Sequence, residues 1–185
     1  MVRTFICVEI NEPNVLKSLE AQIYILSKLG IRTSKLQQLH LTLKFLGEIS
    51  DVQIERIKNQ LQKVSSPQFS IQLMGMGCFP NLNYMRVVWI GISEGAEMLK
   101  NLSAQIEDFT YEEGFLREKR GFSPHLTLAR ISKLSPKNKS TLQEHIKENR
   151  DIIFGTQLVS QVILKKSDLT PQGAIYSDLL KVPLQ

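Results

Sequence analysis

Two of the three histidines in this 185-residue chain stand in the same tetrapeptide, His40-Leu41-Thr42-Leu43 and His125-Leu126-Thr127-Leu128. Successive side chains of a β-strand point to opposite faces, so His40 and Thr42 share one face, about 7 Å apart. Leu41 and Leu43 then point into a core, and the second copy repeats the pattern. Imidazole titrates near neutrality, so one ring can accept a proton while the other donates one. Two such rings are the parts of general acid–base catalysis, and two hydroxyls supply hydrogen bonds to an anion. The third histidine, His145, falls on a polar helical stretch with Gln143, Glu144 and Lys147 and reads as a surface residue.

The elements that must hold these strands are legible from periodicity. Met1 to Ile10 reads as a first strand. Asn11 reads as an N-cap before Pro13, and apolar residues Val15, Leu16, Leu19, Ile23 and Leu26 recur at helical spacing up to Gly30. The first motif strand is expected to run to about Leu46. Ser50 to Gln53 forms a capping-box signal before a helix carrying Ile54, Ile57, Leu61 and Val64. Phe69 to Met74 alternates as a strand, Gly75 to Asn83 reads as a loop, and Tyr84 to Ile92 as a strand with Val87, Val88, Trp89 and Ile90 as core candidates. A helix over 93–113 is followed by Ser123-Pro124 and the second motif strand. Ser135-Pro136 opens a last helix reaching about Arg150. Phe154 to Lys166 and Ile175 to Val182 are expected as strands around the turn Thr170-Pro171-Gln172-Gly173.

This order gives two helix-and-strand halves, each with one His-x-Thr strand. It suggests an internal duplication in an α+β fold with helices outside antiparallel sheets. Hydrophobic content of 42% and charged content of 22% are those of a water-soluble domain. No apolar run approaches the roughly 20 residues that span a bilayer. A cytoplasmic monomer of one two-lobed domain over residues 1–185 is the expectation. Cys7 and Cys78 form no C-x-x-C motif and read as small core residues. The net charge of +5 favours a polyanionic partner without specifying one.

The flanks of the tetrapeptides carry a resemblance. The first copy continues as Lys44-Phe45-Leu46-Gly47-Glu48, and the second stands in Phe122-Ser123-Pro124-His125-Leu126-Thr127-Leu128-Ala129-Arg130. With Arg3-Thr4-Phe5-Ile6, Cys78-Phe79-Pro80-Asn81, Arg86-Val87-Val88-Trp89 and Thr170 to Tyr176, the chain resembles the RNA 2′,3′-cyclic phosphodiesterases, historically called 2′-5′ RNA ligases. These are two-histidine phosphoesterases with paired H-x-T-x motifs. The resemblance implies a bilobal molecule with two antiparallel sheets facing across a V-shaped groove, helices outside, and a pseudo-two-fold duplication. It implies an RNA partner ending in a 2′,3′-cyclic phosphate, opened to a 2′-phosphomonoester. His40 is implied as proton donor to the departing 3′ oxygen and His125 as proton acceptor from water. Thr42 and Thr127 would bind the non-bridging oxygens, and the reverse reaction would join a 2′-5′ linkage. No metal and no other cofactor is required.

Arg130 is implied as a phosphate contact, although strict alternation places it opposite His125 and Thr127 unless the strand bulges. Lys44 meets the same obstacle. Phe79, Tyr84 and Phe122 are candidates to stack a terminal base. Three readings compete with a metal-free enzyme acting on RNA ends. A non-catalytic module gripping RNA ends would use the same charge and hydroxyls but has no need of paired histidines. A cyclic phosphodiesterase for small nucleotides would share the chemistry. A metal-dependent nuclease needs clustered acidic ligands, which the scattered Asp and Glu residues do not provide.

Overall fold

The computed structural model describes residues 1–171 and 173–185; Gln172 of the expected 170–173 turn lies outside them. The first strand, β1 (Val2–Glu9), leads into α1 (Pro13–Lys28). A two-residue β2 (Arg32–Thr33) and a short 3-10 turn precede β3 (His40–Ile49), the strand of the first motif. Then come α2 (Asp51–Leu61), β4 (Phe69–Asn81), β5 (Tyr84–Ile92) and α3 (Ala96–Glu112). The second motif is β6 (His125–Arg130), followed by α4 (Pro136–Glu148), β7 (Ile153–Val159), β8 (Gln161–Thr170) and β9 (Gly173–Pro183).

Two antiparallel sheets result. One has the order β3-β1-β8-β9 and the other β2-β6-β5-β4-β7, so each carries one motif strand. The α+β class and the facing sheets are those expected. The lobes, however, are not the two halves of the sequence. Helix α1 follows a strand of the first sheet yet packs on β2, β6 and β7 of the second. Helix α3 follows a strand of the second sheet yet packs on β3 of the first. The helix that precedes each motif strand thus covers the opposite sheet from the strand it follows. The exchange ties the lobes together, and one continuous apolar cluster runs through both, from Ile6, Leu41 and Leu43 to Leu99, Leu126 and Leu128.

Local signals explain most boundaries. Ser50 accepts the Gln53 N–H, and the Gln53 side chain returns to the Ser50 N–H, completing the capping box. Ser135 caps α4 through the Asn138 N–H, with Pro136 in the first turn. The start of α1 differs from expectation. Glu12, not Asn11, is the N-cap, and it makes no side-chain cap bond. The buried Gln157 of β7 accepts the N–H groups of Asn11 and Glu12, both at 2.8 Å. A residue about 145 positions away does the capping.

Strand β4 runs through the stretch 75–81 that reads as a loop. Its register with β5 slips between Leu73 and Met76, where Gly75 adopts a φ of 79°. The glycine absorbs the bulge, and the strand continues beyond it. The expected single strand 154–166 is two, broken at Ser160. Among the described residues, no helix is long and apolar enough to cross a membrane.

Candidate active site

Strands β3 and β6 come together where the two sheets meet, with Cα atoms within 8 Å of each other. Their first six residues share one burial pattern: the His and Thr are half-buried, Leu, Leu and the fifth residue are buried, and the sixth is exposed. Two consecutive buried residues break strict alternation, and the pairing shows why. Cys7 pairs with Thr42 and Ile6 with Lys44, which leaves Leu43 unopposed. Trp89 pairs with Thr127 and Val88 with Ala129, which leaves Leu128 unopposed. Each motif carries a β-bulge at its fourth residue, and a bulge shifts every later side chain to the other face.

This bulge settles the parity of the flanking residues. Arg130 returns to the face of His125 and Thr127, where it is exposed. In the first motif the same shift sends Lys44 inward and turns Phe45 to the face of His40 and Thr42. Lys44 is buried, pairs with Glu107 of α3 at 2.8 Å and donates to the Leu116 carbonyl at 2.8 Å. It is a structural ion pair and takes no part in the groove.

Both imidazoles are fixed in the same way. His40 Nδ1 lies 2.7 Å from the Gln38 carbonyl, and His125 Nδ1 lies 2.8 Å from the Ser123 carbonyl. A carbonyl only accepts, so Nδ1 carries the proton in each ring. Among the described residues Nε2 has no partner in either ring: it is a base when the ring is neutral, an acid when it is charged. Ser34 reinforces the second motif, its N–H donating to the Leu128 carbonyl and its hydroxyl to that of Thr127.

The two rings sit in different surroundings. His40 packs against Phe5 at 4.8 Å and edge-on to Tyr176 at 5.2 Å between ring centres. Burial lowers its pKa below the usual histidine value; the Gln38 carbonyl acts against that, and the charges of Lys165 and Arg130 act with it. Glu9, directly opposite His40 on β1, raises the pKa.

Lys165 ties this part of the floor together. Its ammonium meets Glu9 at 2.6 Å and also Asp178, which Lys181 holds at 3.0 Å. Burial pulls the Lys165 pKa down, but its two carboxylate partners outweigh that and hold it above the ordinary value. Replacing Lys165 by methionine removes a positive charge beside His40 and frees two negative ones. The His40 titration midpoint, followed by proton NMR, is expected to move up, and Lys165→Arg to restore it. A midpoint that stays put or falls in Lys165→Met contradicts this electrostatic reading. Beneath the same face Cys7 is buried, which pushes its thiol pKa up. Cys7 and Cys78 are both free thiols.

His125 opens on a cavity of about 440 Å³ walled by Phe79, Trp89, Gly91, Lys100 and Phe122. Phe79 stands edge-on to the His125 ring at 5.1 Å, and Trp89 lies 6.5 Å from it. Phe79 and Phe122 thus come to the imidazole. Tyr84 does not. Register puts Gly91 opposite His125, and Tyr84 is seven residues down β5, roughly 23 Å away along the strand. Its ring lies instead against the Arg86 guanidinium, 4.5 Å from the ring centre. His145 also differs from expectation: it is half-buried and links α4 to α1 through the Gln22 side chain at 2.8 Å. Burial lowers its pKa.

Two residues of this face escaped the sequence reading. Trp89 reads as core but lines the cavity, and its indole N–H is buried without a partner among the described residues. Its ring lies over Gly77, where an added Cβ would fall 2.3 Å from two ring carbons. Gly77→Ala is expected to displace the chain's one tryptophan and cost about 1–3 kcal/mol by overpacking. Denaturant midpoint and tryptophan emission report this together; an unshifted emission with full stability contradicts it. Arg32 is the second. It sits directly opposite Arg130, and its guanidinium lies 3.0 Å from where a Cβ on Gly173 would stand. Two facing arginines repel unless an anion lies between them, and neither has an ion-pair partner among the described residues.

Free imidazole nitrogens, threonine hydroxyls and unpaired guanidinium groups on one face suit acid–base work on a phosphate ester. Among the described residues, no three His, Cys, Asp or Glu side chains are grouped so as to hold a metal ion. The family model of the LigT-like phosphoesterases matches twice, over residues 8–89 and 90–176, so each match takes in one motif. The chain belongs to the LigT-like phosphoesterase family and is an enzyme of that class. It is 34% identical to an RNA 2′,3′-cyclic phosphodiesterase of Methanothermobacter thermautotrophicus, over 96% of each chain. It is 39% identical to one of Aquifex aeolicus, over 76% of this chain and 75% of that one. A solved structure from Thermus thermophilus matches with a TM-score of 0.81 at 27% identity, covering 98% of this chain and 97% of the other. The duplication inferred from element order has its counterpart in the double match.

Proposed function

We propose that this enzyme opens 2′,3′-cyclic phosphates at RNA ends to 2′-phosphomonoesters, using His40 and His125 as its acid–base pair and no metal ion. The observation that carries the reading is the matched anchoring of two imidazoles on adjoining strands. Each has Nδ1 committed to a carbonyl and Nε2 free. Relatives that bear the name RNA 2′,3′-cyclic phosphodiesterase and match over nearly the whole chain support the substrate class.

In this scheme His125 Nε2 takes a proton from water as the water oxygen bonds to phosphorus. The bond from phosphorus to the 3′ oxygen breaks, and His40 Nε2 delivers a proton to that oxygen. Thr42, Thr127 and Arg130 hold the non-bridging oxygens, where transition-state charge develops. Burial keeps free His40 neutral more readily than an ordinary histidine. The anionic phosphodiester acts in the opposite sense, so substrate binding favours the charged ring that must donate. Phe79 and Phe122 flank the terminal base beside His125. With a 5′-hydroxyl in place of water, the same steps in the same direction form a 2′-5′ linkage and leave the 3′ oxygen as a hydroxyl.

The test is an oligonucleotide ending in a 2′,3′-cyclic phosphate, incubated with enzyme in excess EDTA. Full conversion to a 2′-monoester is expected. A 3′-monoester, or activity lost to the chelator and restored by a divalent metal, overturns the proposal.

A further inference from the structure

A second cavity, about 640 Å³, lies along the segment joining α3 to β6. Phe45, Leu46 and residues 114–120 form its walls. Phe45 is the first motif's counterpart of Arg130. The bulge at Leu43 turns it onto the groove face, where it is 54% exposed. A row of rings joins it to the site: Phe45 lies 6.3 Å from Phe5, and Phe5 lies 4.8 Å from His40. A large apolar ring held open to water beside an active site has lost the stability its burial would give.

The opposite wall is built to stay put. Leu116 is held through its carbonyl by Lys44, Glu118 through its N–H by Glu107, and Arg117 by Asp108 at 2.8 Å while lying over Tyr111. Those ties leave Lys119 and Arg120 exposed and without ion-pair partners among the described residues. Phe122, two residues further, belongs to the cavity beside His125. One segment therefore connects the proposed terminal-base cavity to the outer one. An exposed ring facing unpaired cations is the pairing that single-stranded nucleic acid uses, bases stacking on aromatic faces and phosphates tracking positive charge.

We propose that Phe45 and the 114–120 segment form a track for the RNA upstream of its terminal nucleotide. Phe45 stacks a base, and Lys119 and Arg120 hold backbone phosphates. This deepens the proposed function, resting on an RNA end occupying the groove, and it makes the enzyme selective for chains over mononucleotides.

The test compares a tetranucleotide ending in a 2′,3′-cyclic phosphate with 2′,3′-cyclic AMP. Phe45→Ala is expected to lower kcat/KM on the tetranucleotide by about 5- to 160-fold, the range spanned by base–aromatic stacking. On cyclic AMP it stays within twofold of wild type, and Phe45→Tyr retains both activities. Lys119→Gln with Arg120→Gln lowers tetranucleotide turnover alone and flattens its salt dependence. Equal losses on both substrates, or none on either, overturn the track. If the wild type cleaves neither substrate, the proposed function fails separately. Fluorescence anisotropy with a labelled tetranucleotide 3′-phosphate then decides the track: weaker binding by Phe45→Ala supports it, and unchanged binding overturns it.

Discussion

Replacing His125 by alanine is expected to reduce turnover of a cyclic-phosphate RNA end by at least 10²–10⁴-fold, the contribution of one positioned acid–base group. His40→Ala is expected to fall as far. The chemistry needs both proton transfers, so losing either ring stalls the same bond-breaking step. RNA affinity should stay within several-fold in both variants, because Thr42, Thr127 and Arg130 remain. His145→Ala is the internal control: its ring is bound to Gln22 on the helical side, and turnover should be unchanged. Pre-steady-state turnover and equilibrium binding measured on the same RNA separate these effects. Near-normal turnover in either motif variant contradicts the acid–base assignment. A loss of binding matching the loss of turnover would instead make the histidines grip the phosphate.

The second large effect concerns stability. Lys44→Ala should cost about 3 kcal/mol, at the low end for breaking a buried ion pair because Glu107 keeps some contact with water. The lysine is 3% exposed and serves two acceptors, Glu107 and the Leu116 carbonyl. Removing it strands both and frees the segment carrying Lys119 and Arg120. Replacing the pair together, Lys44→Met with Glu107→Leu, removes the stranded carboxylate and should recover part of the loss. Urea midpoints of the wild type, single and double variants test this. A single variant within 0.5 kcal/mol of wild type, about the range of an ordinary surface substitution, contradicts the structural role of Lys44.

What the sequence disclosed follows from periodicity. The two-residue repeat puts His and Thr on one face of each strand, the helical repeat locates α1, α2 and α3, and the cap-then-proline signal Ser135-Pro136 locates α4. The capping residues Ser50 and Ser135 work locally, so their positions were readable. The bulges were not: Leu43 and Leu128 look like ordinary alternating residues, and only pairing with β1 and β5 leaves them unopposed. On that one feature turn the outward course of Arg130, the inward course of Lys44 and the exposure of Phe45. The capping of α1 by Gln157 and the meeting of Lys165 with Glu9 join residues far apart in sequence, which no local pattern reports. Trp89 departs from its local pattern for a related reason. A large aromatic in an apolar strand reads as core, and only its pairing with Thr127 turns it toward the groove.

The most direct measurement of the central claim follows the imidazole proton resonances while a nucleoside 2′-monophosphate, the proposed product, is added. The ring resonances of His40 and His125 should shift along one common binding curve as the phosphate docks between them, while those of His145 stay still. Movement of only one motif histidine, or two curves with different midpoints, would show that the rings do not share a phosphate.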